Sequence, residues 1–320
     1  MRKLTYTLAL ALLAVVSCNK TEVSEYGGEQ RVLTYEIKMP QTKSIGLGAY
    51  VNQVTCAVFD ENGNEIPSLR KEFAMTAGVA AEKYQPSLYL GKNYTIVFWA
   101  QHTGDLADHT KDYYNVTDLK QIHANKILTN TDHADAFALR QDVILNANGS
   151  VTINGENATL TDGQLAAVLT RPMAQLNIGA PEASWNYDVK KSKIVLTSVY
   201  TKFNAVTGDV VDDSIIEGTN TIEVPVSALA EDTFTVEVDG TDVVYKSLSL
   251  NYIFPGTNAH AVLYIMDEAE TLINEVAIDN IPVAGNTQTN VYGDLLKDNL
   301  TYSISLSTGF TTPDKEKEYK

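Results

Sequence analysis

An all-β fold made of two tandem antiparallel β-sandwich domains is what the sequence predicts, on three observations. Short segments rich in Val, Ile, Thr and Tyr recur along the chain, many with apolar residues at every second position, the spacing that sets them on one face of a strand. Turn clusters containing Asn-Gly or Gly-Lys-Asn separate these segments. No long stretch repeats its apolar residues at the helical interval, which argues against the helical crossovers of a parallel sheet.

In chain order, Met1-Arg2-Lys3, the apolar run Leu8 to Val16 and then Ser17-Cys18 read as a secretory leader over residues 1–17, with a small residue before the cysteine. The run is shorter than the roughly 20 apolar residues that a spanning helix needs, and Asn19-Lys20-Thr21-Glu22 ends it. Val15-Val16-Ser17-Cys18 resembles the bacterial lipobox, which implies lipidation of Cys18 at a new N-terminus. Two or more acyl chains there give stable membrane attachment. Residues 18–30 are polar and aperiodic, as expected of a flexible tether.

From Arg31 to Met39 the residues Leu33, Tyr35, Ile37 and Met39 alternate with Thr34, Glu36 and Lys38, a half-buried strand. Val54 to Phe59 is apolar on both faces and runs into the turn Asp60-Glu61-Asn62-Gly63-Asn64-Glu65, so Cys56 is expected in the core. Further strands are predicted at 87–90, 94–100, 150–153, 193–197, 234–238, 247–254, 261–265 and 302–306. Short helices are predicted in loops, at Thr117 to Ile122 and Thr161 to Leu169. Pro172 interrupts the pattern after the second, which divides the chain into an N-terminal domain of residues 31–170 and a C-terminal domain of residues 171–320.

The charge balance, 24 basic against 40 acidic residues and a net charge of −16, opposes binding to nucleic acid and is that of a soluble exported chain. With Cys18 acylated, Cys56 has no disulfide partner, and stability must come from packing. His102, His109, His123 and His133 share a stretch with Asp105, Asp108, Asp132 and Asp135. Their irregular spacing reads as a polar loop, and no metal or other cofactor is expected. Asp60 to Glu65 lacks the ligand spacing of a calcium loop. No nucleophile elbow, phosphate-cradling loop or partnered thiol occurs, so an enzyme is not expected. Trp99 lies within an apolar strand and reads as core. Trp185 is less constrained; packing between the domains is the expected reading, with a ligand contact through its ring face as the alternative.

Five stretches resemble the fimbrillin-like lipoproteins of the Bacteroidales, in the branch of unassigned function. They are Gln41-Thr42-Lys43-Ser44-Ile45; Val58 to Gly63; Tyr94 to Gln101 followed by Asp132 to Ala138; Leu169-Thr170-Arg171-Pro172-Met173-Ala174-Gln175-Leu176-Asn177-Ile178; and Ile281 to Leu296, with its Asn290-Val291-Tyr292-Gly293-Asp294-Leu295-Leu296. The resemblance implies transthyretin-like β-sandwiches, lipid-anchored display on the outer membrane, and work as a fimbrial subunit or adhesin. Such subunits join by strand exchange, in which main-chain bonds supply affinity and alternate side chains fill pockets. Residues 31–39 and 299–310 are the candidate strands, with Arg31 as a possible processing point. The resemblance further implies that Asp213-Ser214-Ile215 is a possible O-glycosylation sequence, at Ser214. A glycan-binding accessory lipoprotein of a nutrient-uptake system is the alternative reading, and the partners expected are other fimbrial subunits by strand exchange or a glycan or host ligand.

Overall fold

The computed structural model describes residues 28–39, 50–76, 78–104, 112–124, 132–185, 188–216, 222–229, 233–256, 258–297 and 300–307. Among them the chain is all-β, its only helices being short 3-10 turns at Pro67–Leu69, Asp132–Ala134, Glu182–Ser184 and Asp212–Ser214.

The N-terminal half builds a sheet whose order is Glu156–Asn157, Val151–Ile153, Ala136–Leu145, Lys92–Gln101, Gln53–Phe59, Lys71–Thr76, Val79–Ala80, Tyr35–Lys38 and Leu165–Val168. One strand turns this sheet back on itself. Ala74 to Lys71 pair with Gln53 to Cys56, whereas Met75 and Thr76 pair with Ala80 and Val79. Tyr35 is thereby brought opposite a strand it does not pair with, its ring 5.4 Å from that of Phe98. Leu33, Tyr35, Ile37 and Met39 enter one core with Val54, Cys56, Val58, Ile96 and Phe98. Each such fully buried side chain contributes about 1.5–3 kcal/mol.

The central strands of this sheet are buried on their second face as well. Ala57, Phe59, Val97 and Trp99 alternate with the residues of the first core and meet Tyr114, Leu119, Ile122, Met173, Phe203 and Phe254. This second cluster draws on both halves of the chain, and so does the four-stranded sheet beside it, ordered Asp209–Val210, Lys202–Asn204, Ile122–Ala124, Tyr114–Asn115. The doubly apolar run Val54 to Phe59 is therefore a strand covered by its own sandwich on one side and by a cluster from both halves on the other.

In the C-terminal half, a sheet of Thr233–Val238, Thr241–Ile253, Ala174–Pro181, Gln288–Asp294 and Thr301–Ser307 packs on one of Ile222–Ala228, Lys191–Thr197, Ala259–Met266 and Leu272–Ile281. Leu176 and Ile178 from the first sheet meet Ile194, Leu263, Ile265, Val276 and Ile278 from the second. Two hairpins turn through two-residue type I′ loops, which need positive φ at both positions. Asn154-Gly155 (φ 52° and 86°) and Asp239-Gly240 (φ 52° and 76°) supply it.

Several sequence expectations require correction. Thr117 to Ile122 is not helical: the Asn115 side chain accepts from the Thr117 amide at 3.0 Å and Asp118 from the Lys120 amide at 2.9 Å. These local bonds compete with a helix, and Ile122 starts a strand. Thr161 to Leu169 is a turn and a strand. Thr161 and Gln164 exchange two main-chain bonds of 2.9 Å around Asp162-Gly163, and Leu165–Val168 pairs with Tyr35–Lys38. That pairing is parallel, as is the one between Ala174–Pro181 and Gln288–Asp294, so the sheets are mixed rather than purely antiparallel. The segment 31–39 breaks at Leu33-Thr34 into Gln30–Val32 and Tyr35–Lys38, with the foretold alternation of buried and half-buried residues intact.

Arg171 joins the two halves. Its Nε donates to Asp135 Oδ1 at 2.6 Å, Nη2 donates to Oδ2, and the guanidinium lies 4.7 Å from the centre of the Phe137 ring. Arg171 is 3% and Asp135 1% exposed, so the pair is a desolvated one. Removing one member of such a pair costs about 3–5 kcal/mol. Arg171→Ala is expected to lose that much in equilibrium urea unfolding, while Lys38→Ala, which breaks an exposed pair with Glu36, changes stability by less than about 1 kcal/mol. Burial, and then the Glu72 carboxylate, push the Cys56 thiol well above its usual pKa. A disulfide reagent at neutral pH is expected to leave Cys56 untouched in the native protein and to modify it once denaturant opens the core.

Candidate functional site

The two terminal strands are the candidate site, and they are held in different ways. Tyr35–Lys38 lies inside its sheet, with Leu165–Val168 along one edge. On the other edge the Tyr35 amide donates to the Tyr84 carbonyl at 2.9 Å, the Leu33 amide to Pro86 at 3.1 Å and the Met39 amide to Gly78 at 2.8 Å. Leu33, Tyr35, Ile37 and Met39 fill the space beneath, none more than 5% exposed. A strand so placed occupies a groove with main-chain partners on both rims and successive apolar pockets in its floor.

Thr301–Ser307 is an edge strand. It pairs through seven residues with Gln288–Asp294 and lies at the end of its sheet. Leu300, Tyr302 and Ile304 pack partly buried on the core, whereas Leu306 is 53% exposed. Its side chains are those of a strand that rests on a sandwich rather than one that completes it.

Arg31 sits in Gln30–Val32, opposite Leu88, and its guanidinium donates to the Gly149 carbonyl. The residue precedes the seated strand, so a cut there would separate the tether and leave Leu33 to Met39 in place. A cut that freed the strand would fall after Met39; Lys43 is in that segment, outside the described residues, as are Cys18 and His109. Ser214 is 6% exposed and accepts from the Lys202 amide at 3.1 Å, so a glycan there would have to be attached before the turn closes.

Trp185 is half-buried on the C-terminal sandwich, not between the two halves. Its Nε1 donates to the Ala180 carbonyl at 3.2 Å, and the Lys246 ammonium covers one ring face at 4.5 Å from the centroid. Trp99 is fully buried, as its strand implied, and donates to Gln101 Oε1 at 3.0 Å. His102 and His133 stack at 4.3 Å, while His123 lies apart on Ile122–Ala124. Among the described residues no three His, Cys, Asp or Glu side chains are grouped to hold a metal ion. Asp60 closes its own turn, accepting from the Asn62 and Asn64 amides at 2.9 and 2.8 Å. Sequence reasoning missed the role of Asp135, which it placed in the polar loop; a carboxylate followed by Ala136-Phe137-Ala138, an apolar strand start, was the available signal.

A β-protein of packed sandwiches with a fully seated strand near its N-terminal end is the class these features define. The chain belongs to the family described as "Family of unknown function (DUF6562)", which matches residues 24–320. No curated protein matches its sequence. Similar solved structures include a fimbrial assembly protein from Parabacteroides distasonis, at 12% identity and a TM-score of 0.43, covering 87% of this chain and 95% of that one. The tip fimbrial protein Mfa3 from Porphyromonas gingivalis, with a C-terminal truncation, is similar at 12% identity and a TM-score of 0.46, covering 87% and 99%. The fimbrial anchor protein Mfa2 from the same organism is similar at 13% identity and a TM-score of 0.42, covering 87% and 98%.

The unequal seating of the two strands sets a measurable contrast. Ile37→Ala removes buried atoms and is expected to cost about 2–5 kcal/mol in urea unfolding. Leu306→Ala, at a mostly exposed edge position, is expected to stay within about 0.5 kcal/mol. Equal costs would contradict the assignment of one seated and one resting strand.

Proposed function

We propose that the chain is a lipid-anchored, surface-displayed protein of the fimbrillin-like kind, acting without catalysis in cell adhesion or fimbria assembly. The observation that carries the reading is the seat of Tyr35–Lys38, bonded along both edges and apolar beneath. A groove of that form, once vacated, accepts an extended strand from another subunit by β-augmentation. Thr301–Ser307, held along one edge only among the described residues, is the strand best placed to be offered. The lipobox at Cys18 and the Leu169 to Ile178 and Ile281 to Leu296 stretches support the same reading from the sequence. Display on the outer membrane through acylated Cys18 follows from it, with other fimbrial subunits as partners.

Two measurements test the proposal. Radiolabelled palmitate is expected to enter the wild-type protein and not Cys18→Ala. A version beginning after Met39 is expected to take up a synthetic peptide of residues 299–310, with a slow off-rate and a rise in thermal midpoint, whereas the intact chain does not. An unlabelled wild-type protein removes the anchor, and a truncated protein indifferent to the peptide removes strand exchange.

A further inference from the structure

A cavity of about 500 Å³ opens where the two halves meet, away from both terminal strands. Small-molecule sites occupy roughly 300–1,000 Å³ and combine an apolar lining with a few convergent polar groups. Here Met173, Leu196, Tyr200 and Phe254 form apolar wall, and His123 and Lys202 stand among the polar lining.

The walls are supported from behind. Phe254 stacks on Phe203 with centroids 5.7 Å apart and planes at 14°, and Tyr114 braces it at 6.0 Å. Tyr200 lies against Gly256, where a Cβ would collide with the ring. The Tyr114 hydroxyl donates to the Ala134 carbonyl at 2.6 Å, so its polar tip is already committed. What these side chains present is carbon surface.

The basic groups come from a strand pair. Lys202 is directly opposite His123 in the antiparallel pairing, which puts both side chains on the same face of the small sheet. The Lys202 ammonium carries three donors, and one goes to Gln121 Oε1 at 3.2 Å. Asp118, the acid beside them, accepts from the Lys120 amide at 2.9 Å and so closes its own turn.

We propose that this cavity binds a small amphipathic organic anion, an aryl or acyl carboxylate, with its apolar body against Met173, Tyr200 and Phe254 and its carboxylate at Lys202 and His123. A sugar fits less well, because hydroxyls driven against the apolar wall would lose water without gaining partners. The net charge of −16 does not forbid an anion, since exposed charges beyond about 8 Å are largely screened at physiological salt. Lys202 and His123 act at contact distance instead. Because the lining comes from both halves, a bound ligand stabilises their junction by mass action.

Isothermal titration of 2-naphthoate into the full-length chain tests this, with a detergent-only blank. One saturable site is expected, with a Kd on the order of 10 μM, and the neutral 2-naphthylmethanol is expected to bind about tenfold more weakly or worse. Lys202→Glu is expected to weaken 2-naphthoate by a similar factor. Ala124→Trp, which fills the cavity from a half-buried position, is expected to abolish the binding heat. Both substituted sites are partly exposed, and an unchanged circular dichroism spectrum identifies folded variants. The proposal is overturned if the unsubstituted chain shows no saturable site, if binding survives both substitutions, or if the neutral analogue binds as tightly as the anion.

Discussion

The arrangement of the molecule depends on one desolvated ion pair, between Asp135 and Arg171. Arg171 lies between the last strand of the first sheet, Leu165–Val168, and the first strand of the second, Ala174–Pro181. Asp135 stands at the head of Ala136–Leu145, the long strand beside the centre of the first sheet. A two-point, planar contact between guanidinium and carboxylate fixes direction as well as distance. Main-chain bonds between Ala138 and Thr170, at 2.8 and 2.9 Å, hold the same crossing point. The chain thus leaves the first sandwich along a set line, and Met173 arrives beside the Tyr114 hydroxyl at 3.3 Å.

From that fixed exit follows the covering of the first sheet's outer face. Trp99 donates to Gln101, Gln101 donates to the buried Asp112 at 3.2 Å, and Thr103 donates to the same carboxylate. These polar groups lie beside an aromatic cluster of Trp99, Tyr114, Phe203 and Phe254, in which Tyr114 meets Trp99 at 5.5 Å. Burial holds the Tyr114 hydroxyl above its usual pKa, with the Asp135 carboxylate adding to the effect. The phenol is therefore a donor at neutral pH. Apolar packing supplies the driving force in this region, and the few polar groups fix which side chain sits where.

The fold class and the strands with clear alternation were legible because alternation survives translation into burial: Tyr35, Ile37, Ile194 and Leu263 face inward as their spacing implied, whereas Lys71–Thr76, Ala174–Pro181, Leu272–Ile281 and Gln288–Asp294 were not picked out. The doubly apolar run Val54 to Phe59 was legible as buried but not as the meeting place of two clusters, since only the tertiary fold supplies Phe203 and Phe254. Ala136–Leu145 escaped notice because Arg140, Gln141 and Asp142 interrupt its apolar pattern. Local bonds by Asn115 and Asp118 defeated one predicted helix, and distant pairing with Tyr35–Lys38 defeated the other. Of the candidate site, the strand 31–39 was legible and its two-sided seating was not. The position of Arg31 ahead of the seated strand, and the loss of one Trp185 face to Lys246, belong to three-dimensional neighbours that no local pattern encodes.

The parallel contact between Tyr35–Lys38 and Leu165–Val168 has a bearing on the order of events during folding. Its partners are about 130 residues apart, and so long a closure carries an entropic cost that slows its formation relative to nearby hairpins. Tyr35–Lys38 can thus be locked along this edge only once residues 165–168 are made. Until it is, the half-built sandwich keeps an open slot beside a stretch of chain that is still free to move.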